Sequence, residues 1–141
     1  MIKHWGKTLL LALMLISCNW LGEPRNIDWK NEWKKNGRSL KDLTREIIEN
    51  REGKFKMGNN EFPDSFGFPF DEGFYIGYGN RDTLVDTNRI SIRYYVDRGL
   101  LDHFSAFIYT KDSTEIRELQ LKVQQLAGDF KIEDNWYMVN D

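Results

Sequence analysis

Apolar residues recur at two spacings along the chain, and each change of spacing marks an element. Leu40, Leu43, Ile47 and Ile48 form a stripe at helical spacing. Ser39 stands where a cap belongs, Asp42 falls in the first turn and Gly53 supplies a stop, so a helix is predicted over Ser39–Glu52. Ile116, Leu119, Val123 and Leu126 repeat the pattern behind Asp112 or Ser113 as cap, which predicts a second helix ended by Gly128. Elsewhere the period is two. Lys54-Phe55-Lys56-Met57 reads as a short strand. Arg89–Val96 and Leu100–Thr110 read as a hairpin around Asp97-Arg98-Gly99, and Phe130-Lys131-Ile132 with Trp136–Val139 as a second one across Glu133-Asp134-Asn135. Short hairpin links imply an antiparallel sheet. The expected fold is α+β: a two-layer domain with a mainly antiparallel sheet of about five or six strands and two amphipathic helices.

The first hairpin carries a register prediction. A three-residue loop ending in Gly99 pairs Val96 with Leu100, Ile92 with Phe104 and Ile90 with Ala106. Ile90, Ile92, Tyr94 and Val96 then share a face with Leu100, Phe104, Ala106 and Ile108. The opposite face carries Arg89, Ser91, Arg93 and Tyr95 beside Leu101, His103, Ser105, Phe107 and Tyr109, with Arg93 directly across from His103, and its binding candidates are Arg89, Arg93, Tyr95, His103, Phe107 and Tyr109. This is the candidate binding face. Its arginines suit an anion, and its aromatic rings suit stacking or packing against a partner. The plain alternative is a solvated face, or one covered by the aromatic loop 62–78.

That loop is unusual. Phe62, Phe66, Phe68, Phe70, Phe74, Tyr75 and Tyr78 crowd it, and from Phe66 onward the large residues are mostly even-numbered. Gly67, Gly73, Gly77 and Gly79 are odd-numbered, so in an extended segment the glycine side admits close approach of a backbone or ligand. The competing reading is a core-facing strand interrupted by a turn at Pro69–Gly73. Gly73-x-x-x-Gly77-x-Gly79 lacks the spacing of a nucleotide loop.

The N-terminal pattern differs from all of this. Lys3, His4 and Lys7 precede the run Leu9–Ile16, and no acid lies among the first 17 residues. A basic start with a short apolar core forms a secretory signal. The run falls well short of the ~20 residues of a spanning helix. It ends in Leu15-Ile16-Ser17-Cys18, which resembles the lipobox of bacterial lipoprotein signal peptides at every position, over residues 1–18. The resemblance implies cleavage before Cys18, a diacylglycerol on its sulfur and acylation of the new amine. More than one acyl chain gives a stable membrane anchor. Asn19 stands where an Asp often signals inner-membrane retention in such families, which leans towards an outer membrane if the cell has one. The anchor implies a place outside the cytoplasm and says nothing of the attached fold.

The expected organisation is therefore 1–17 signal peptide, 18–38 lipidated tether and 39–141 a single α+β domain. Residues 19–38 carry net charge +2 and three tryptophans, Trp20, Trp29 and Trp33. Asp28–Lys35 can form two helical turns ended by Gly37, with Trp29 and Trp33 on one face. Trp beside Lys near an anchor suits a membrane interface, whereas packing of both rings on the domain is the competing reading. The whole chain of 141 residues has net charge −2, which becomes −4 without the signal, concentrated beyond residue 38. That balance carries no footprint for nucleic acid.

The residue types available restrict the chemistry. Cys18 is the single cysteine, so no internal disulfide or multi-Cys metal site can form. His103 is the only histidine beyond the signal, and Asp102 points to the opposite side of a strand from it, so no Ser-His-Asp triad is expected. Zinc lacks ligands, and the loop bearing Asp82, Asp86 and Asn88 lacks the calcium-loop spacing. No metal or cofactor is expected. The favoured expectation is a membrane-anchored binding or accessory domain for a protein or envelope component. The alternatives are an immunity or inhibitor protein against a toxin or hydrolase, and an envelope hydrolase using a carboxylate pair among Asp71, Glu72, Asp97 and Asp102.

Overall fold

A computed structural model describes residues 27–50, 53–67, 69–77, 88–98 and 104–140. The signal segment, Cys18 and the expected tether up to residue 26 lie outside those residues, as do Tyr78, Asp102 and His103.

The first helix, α1, runs from Trp29 to Glu49 without a break. Asp28 caps it, its Oδ1 accepting from the backbone N–H of Asn31 at 3.1 Å. The start is thus ten residues before Ser39, and residues 29–38 of the expected tether belong to the helix. Gly37 does not end it. A Cβ at Gly37 would lie 2.9 Å from the Trp33 indole, so the missing side chain lets that ring lie along the helix. Asn50, not Gly53, terminates α1: it is left-handed at φ 32° and donates its N–H to the Glu46 carbonyl. Its side chain also holds the Phe55 backbone N–H and C=O, at 3.0 and 3.2 Å.

Six antiparallel strands follow: β1 (Gly58–Asn60), β2 (Phe74–Gly77), β3 (Ser91–Arg98), β4 (Phe104–Thr110), β5 (Phe130–Glu133) and β6 (Trp136–Asn140). Their spatial order is β1-β2-β3-β4-β6-β5. The helix α2 (Ser113–Gln125) lies between β4 and β5 in sequence. Asp112 caps it, accepting from the N–H groups of Thr114 and Glu115. The α+β class, the antiparallel sheet and the final hairpin match the sequence pattern. The predicted strand at 54–57 falls instead at Gly58–Asn60, because Phe55 is bound to Asn50.

The two helices take opposite faces of the sheet. On one face α1 buries Leu40, Leu43 and Ile47 against Phe74, Ile76, Ile92, Tyr94, Val96, Phe107, Tyr109, Trp136 and Met138. On the other, Leu119 of α2 packs on Tyr95, Ala106, Ile108, Tyr137 and Val139. The sheet is a middle layer rather than one of two, because β4 and β6 are apolar at nearly every position and both parities need cover. Of the predicted α2 stripe, Leu119 is buried and Val123 packs at the margin, while Leu126 lies exposed beyond the helix.

The β3–β4 register differs from the prediction by an odd number. Arg93 pairs with Ile108, Tyr94 with Phe107 and Ile92 with Tyr109. β3 continues through Arg98, so the turn cannot be Asp97-Arg98-Gly99, and a bulge between Tyr95 and Asp97 shifts the alignment. An odd shift turns every β4 side chain to the other face. Phe107 and Tyr109 therefore sit under α1. There Trp29 and Trp33 contact Phe107, with ring centroids 6.4 and 5.4 Å away, and Trp33 meets Trp136 at 4.9 Å. Both tryptophans pack on the domain.

Candidate functional site

The aromatic loop packs on the α1 face. Phe62 meets Phe66, Phe70, Phe74 and Tyr94 with centroids 5.1–5.9 Å apart, and Phe70 reaches Phe107. Phe70, Phe74 and Ile76 are thus core, and Phe66 packs against it. Among the described residues, the rings of Phe62, Phe66 and Phe70 leave the odd-numbered side of β2 and β3 uncovered, and α2 lies over β4 and β6, with Leu119 reaching Tyr95 of β3.

An open trough of about 290 Å³ occupies the remaining half, lined by Tyr75, Gly77, Ser91, Arg93 and Tyr95. Strand register builds it. Tyr75 of β2 lies beside Arg93 of β3, and Gly77 beside Ser91. The Tyr75 ring leans over Gly77, where an added Cβ would come within 3.0 Å of it. Tyr75 is 38% exposed and forms the accessible wall. The Tyr95 ring is buried, with Phe104 edge-on at 5.6 Å and the Arg98 guanidinium 3.8 Å from its centroid. Arg98 in turn donates to Asn59 Oδ1 on β1 at 3.1 Å, so the far strand is fastened across this face.

The charges here are matched from α2. Arg93 Nη2 donates to Glu115 Oε1 at 3.0 Å, and Arg89 Nε to Asp112 Oδ2 at 3.2 Å. The Glu115 side chain is 6% exposed and that of Arg93 30%, so this pair is mostly withdrawn from water. The Asp112 carboxyl is held below its ordinary range, first by the Glu115 backbone N–H and also by Arg89 and the Thr114 N–H. Two buried oxygens near these pairs, Ser91 Oγ and Glu115 Oε2, have no hydrogen-bond partner among the described residues. Ser91 lines the trough floor.

Of the six predicted face residues, Arg93 and Tyr95 come together in the trough. Arg89 is engaged at the α2 N-terminus. Phe107 and Tyr109 are on the opposite face, where burial pushes the Tyr109 hydroxyl pKa up. His103, like the lipidation candidate Cys18, lies outside the described residues, and the position across from Arg93 is Ile108. Ser91 falls on the predicted face though not among its binding candidates, and Tyr75 and Gly77 lie outside the prediction. Their signal is the odd-numbered side of 73–79, where glycines alternate against the aromatic side.

A second groove of about 620 Å³ lies by the aromatic loop, with Glu61, Asp64, Asp71 and Glu72 on its rim and Phe62, Phe66 and Phe70 inside. Among the described residues no three His, Cys, Asp or Glu side chains are grouped to hold a metal, and no helix is long and apolar enough to cross a membrane. No known protein family, curated protein or solved structure matches the chain.

Proposed function

We propose that the chain is a lipid-anchored extracytoplasmic protein whose folded domain binds an envelope component, without catalysis, through the Tyr75–Arg93–Tyr95 trough. The trough supports the binding half of this reading: an exposed aromatic wall and a buried, unpartnered hydroxyl on a rigid sheet are features of a recognition site. Glu115, the carboxylate nearest to it in bonding terms, is committed to Arg93, which suits positioning better than proton transfer. The lipobox resemblance supports the anchored half. Cys18 carries the lipid, the membrane is the first partner, and Asn19 favours an outer membrane where one exists.

The test uses the mature chain with Cys18→Ser, so that lipid does not dominate, sedimented with isolated envelope. Tyr75→Ala removes the exposed wall at little cost to the core. The expected result is saturable co-sedimentation weakened at least about fivefold by Tyr75→Ala, as for loss of one good aromatic contact. Equal sedimentation of both proteins, with unchanged circular dichroism, overturns the assignment of the site.

A further inference from the structure

We infer that the ligand of the trough is an uncharged saccharide unit, a hexose or N-acetylhexosamine ring at the end of or within a glycan. This inference rests on the trough being the binding site. Charge comes first. Arg93 and Arg89 are matched by carboxylates of α2, Glu115 and Asp112, while the third arginine of this face, Arg98, lies over the Tyr95 ring, donates to Asn59 and does not line the trough. An incoming anion would have to displace Glu115, which would be left buried and unpaired. A neutral ligand meets no such obstacle.

The surfaces also pair. The Tyr75 ring is 38% exposed, while Ser91 is 2% exposed and its Oγ lacks a partner among the described residues. A sugar ring offers the matching pair: an apolar C–H face to lie on the tyrosine, and hydroxyls that both donate and accept. Rotation about the Ser91 Cα–Cβ bond carries Oγ from its occluded position towards the trough, and a ligand hydroxyl there relieves the unfavourable state of a buried hydroxyl left unpaired. An apolar ligand would leave Ser91 unsatisfied.

Size agrees. About 290 Å³ lies just under the ~300–1,000 Å³ of small-molecule sites, so the trough admits one or two small rings and not an extended cofactor. Gly77 keeps the floor low: a side chain there would strike the Tyr75 ring that forms the stacking wall.

The experiment is a titration of the mature Cys18→Ser chain, followed by amide chemical shifts, with four probes. These are maltose, N,N′-diacetylchitobiose, inorganic phosphate and a tyrosyl-glycine dipeptide. The expected result is saturation in the millimolar range by at least one disaccharide, with the shifts centred on Gly77, Ser91 and Arg93. Tyr75→Ala should weaken it at least tenfold, and Ser91→Ala several-fold. Phosphate and the dipeptide should cause no saturable shift at those residues.

The saccharide assignment is overturned if neither disaccharide saturates at 20 mM, if phosphate or the dipeptide saturates at the trough instead, or if sugar shifts map elsewhere. Failure of the two readings can be told apart. Tyr75-dependent sedimentation with envelope, without disaccharide binding, retains the site and removes the saccharide. Loss of Tyr75 dependence in both assays removes the site itself.

Discussion

Removing the Arg93 guanidinium should expose how much the α2 face depends on one ion pair. Arg93→Ala leaves the Glu115 carboxylate, 6% exposed, without the cation that compensates its burial. Its second oxygen already lacks a partner. Breaking a fully buried pair from one side costs about 3–5 kcal/mol. Arg93 keeps 30% exposure, which lets water approach and lowers the expected loss to about 2–3 kcal/mol. Replacing both partners, Arg93→Met with Glu115→Leu, removes the desolvation cost together with the attraction and should cost under about 1 kcal/mol. The measurement is urea unfolding at pH 7 for wild type, Arg93→Ala, and the cycle of Arg93→Met, Glu115→Leu and their double variant, with constant m values. The double variant should be more stable than Arg93→Ala, a non-additivity of more than about 1 kcal/mol. If Arg93→Ala unfolds within about 0.5 kcal/mol of wild type, or if the two losses simply add, the pair is a surface contact and the reasoning is wrong.

Four further outcomes follow from named contacts. Trp33→Ala empties the space between Phe107 and Trp136 and should cost about 3 kcal/mol in the same denaturation assay, the low end for Trp truncation because the ring is only partly buried. Tyr94→Phe deletes the buried hydroxyl that donates to Thr44, whose own hydroxyl is given to the Leu40 carbonyl; the loss at pH 7 should be about 1 kcal/mol. Burial raises the folded pKa of Tyr94 above its ordinary value of 10.0, so the folded state keeps the proton that the unfolded chain releases. Wild-type stability is fully present below pH 10.0 and falls above it, and Tyr94→Phe should flatten that alkaline decline in thermal melts. Asp112 has the opposite sign: its folded pKa is depressed below 3.8, so its contribution is present above that pH and lost in stronger acid. Asp112→Asn keeps a capping oxygen and should flatten the acid limb of stability without loss of helical circular dichroism at pH 7. Cys18→Ser in the full chain should abolish fatty-acid labelling and move the protein out of the membrane pellet; retention in the pellet with no label would refute the lipid anchor.

How far the fold was legible depended on whether a pattern had one solution. Leu40, Leu43 and Ile47 have no alternative to a helix face, and the last hairpin has a short polar turn, so both were readable. Gly37 misled because an interior glycine reads as a stop until the indole that needs its space is known. Phe104–Thr110 misled for a deeper reason. Phe104, Ala106 and Ile108 alternate with Phe107 and Tyr109, so both faces are apolar and the pattern cannot choose a register. A turn rule then decides it, and β3 runs on through Asp97 and Arg98, two of the three residues that rule places in the turn. The error divided the candidate face cleanly. Arg93 and Tyr95 belong to β3 and kept their side, while Phe107 and Tyr109 belong to β4 and changed theirs.

The place of the trough follows from strand order rather than from any motif. α2 leaves β4 near the middle of the sheet and must deliver the chain to β5 at one edge. It therefore lies over β4 and β6, and its first turn reaches back only as far as the arginines of β3. α1 covers the other face, so among the described helices none overlies β2 on the α2 side. A strand left open there needs either polar side chains or a partner, and β2 offers Tyr75 and Gly77, one a ring and the other a space. Gly77 then has two possible roles. If it serves only β-sheet geometry, Gly77→Ala should remove backbone freedom from the unfolded chain and leave binding unchanged. If it serves the wall, the added Cβ, 3.0 Å from the Tyr75 ring, must push that ring from its place. Binding to envelope should then weaken in Gly77→Ala as it does in Tyr75→Ala, and the Gly77→Ala, Tyr75→Ala double variant should bind no worse than Tyr75→Ala alone.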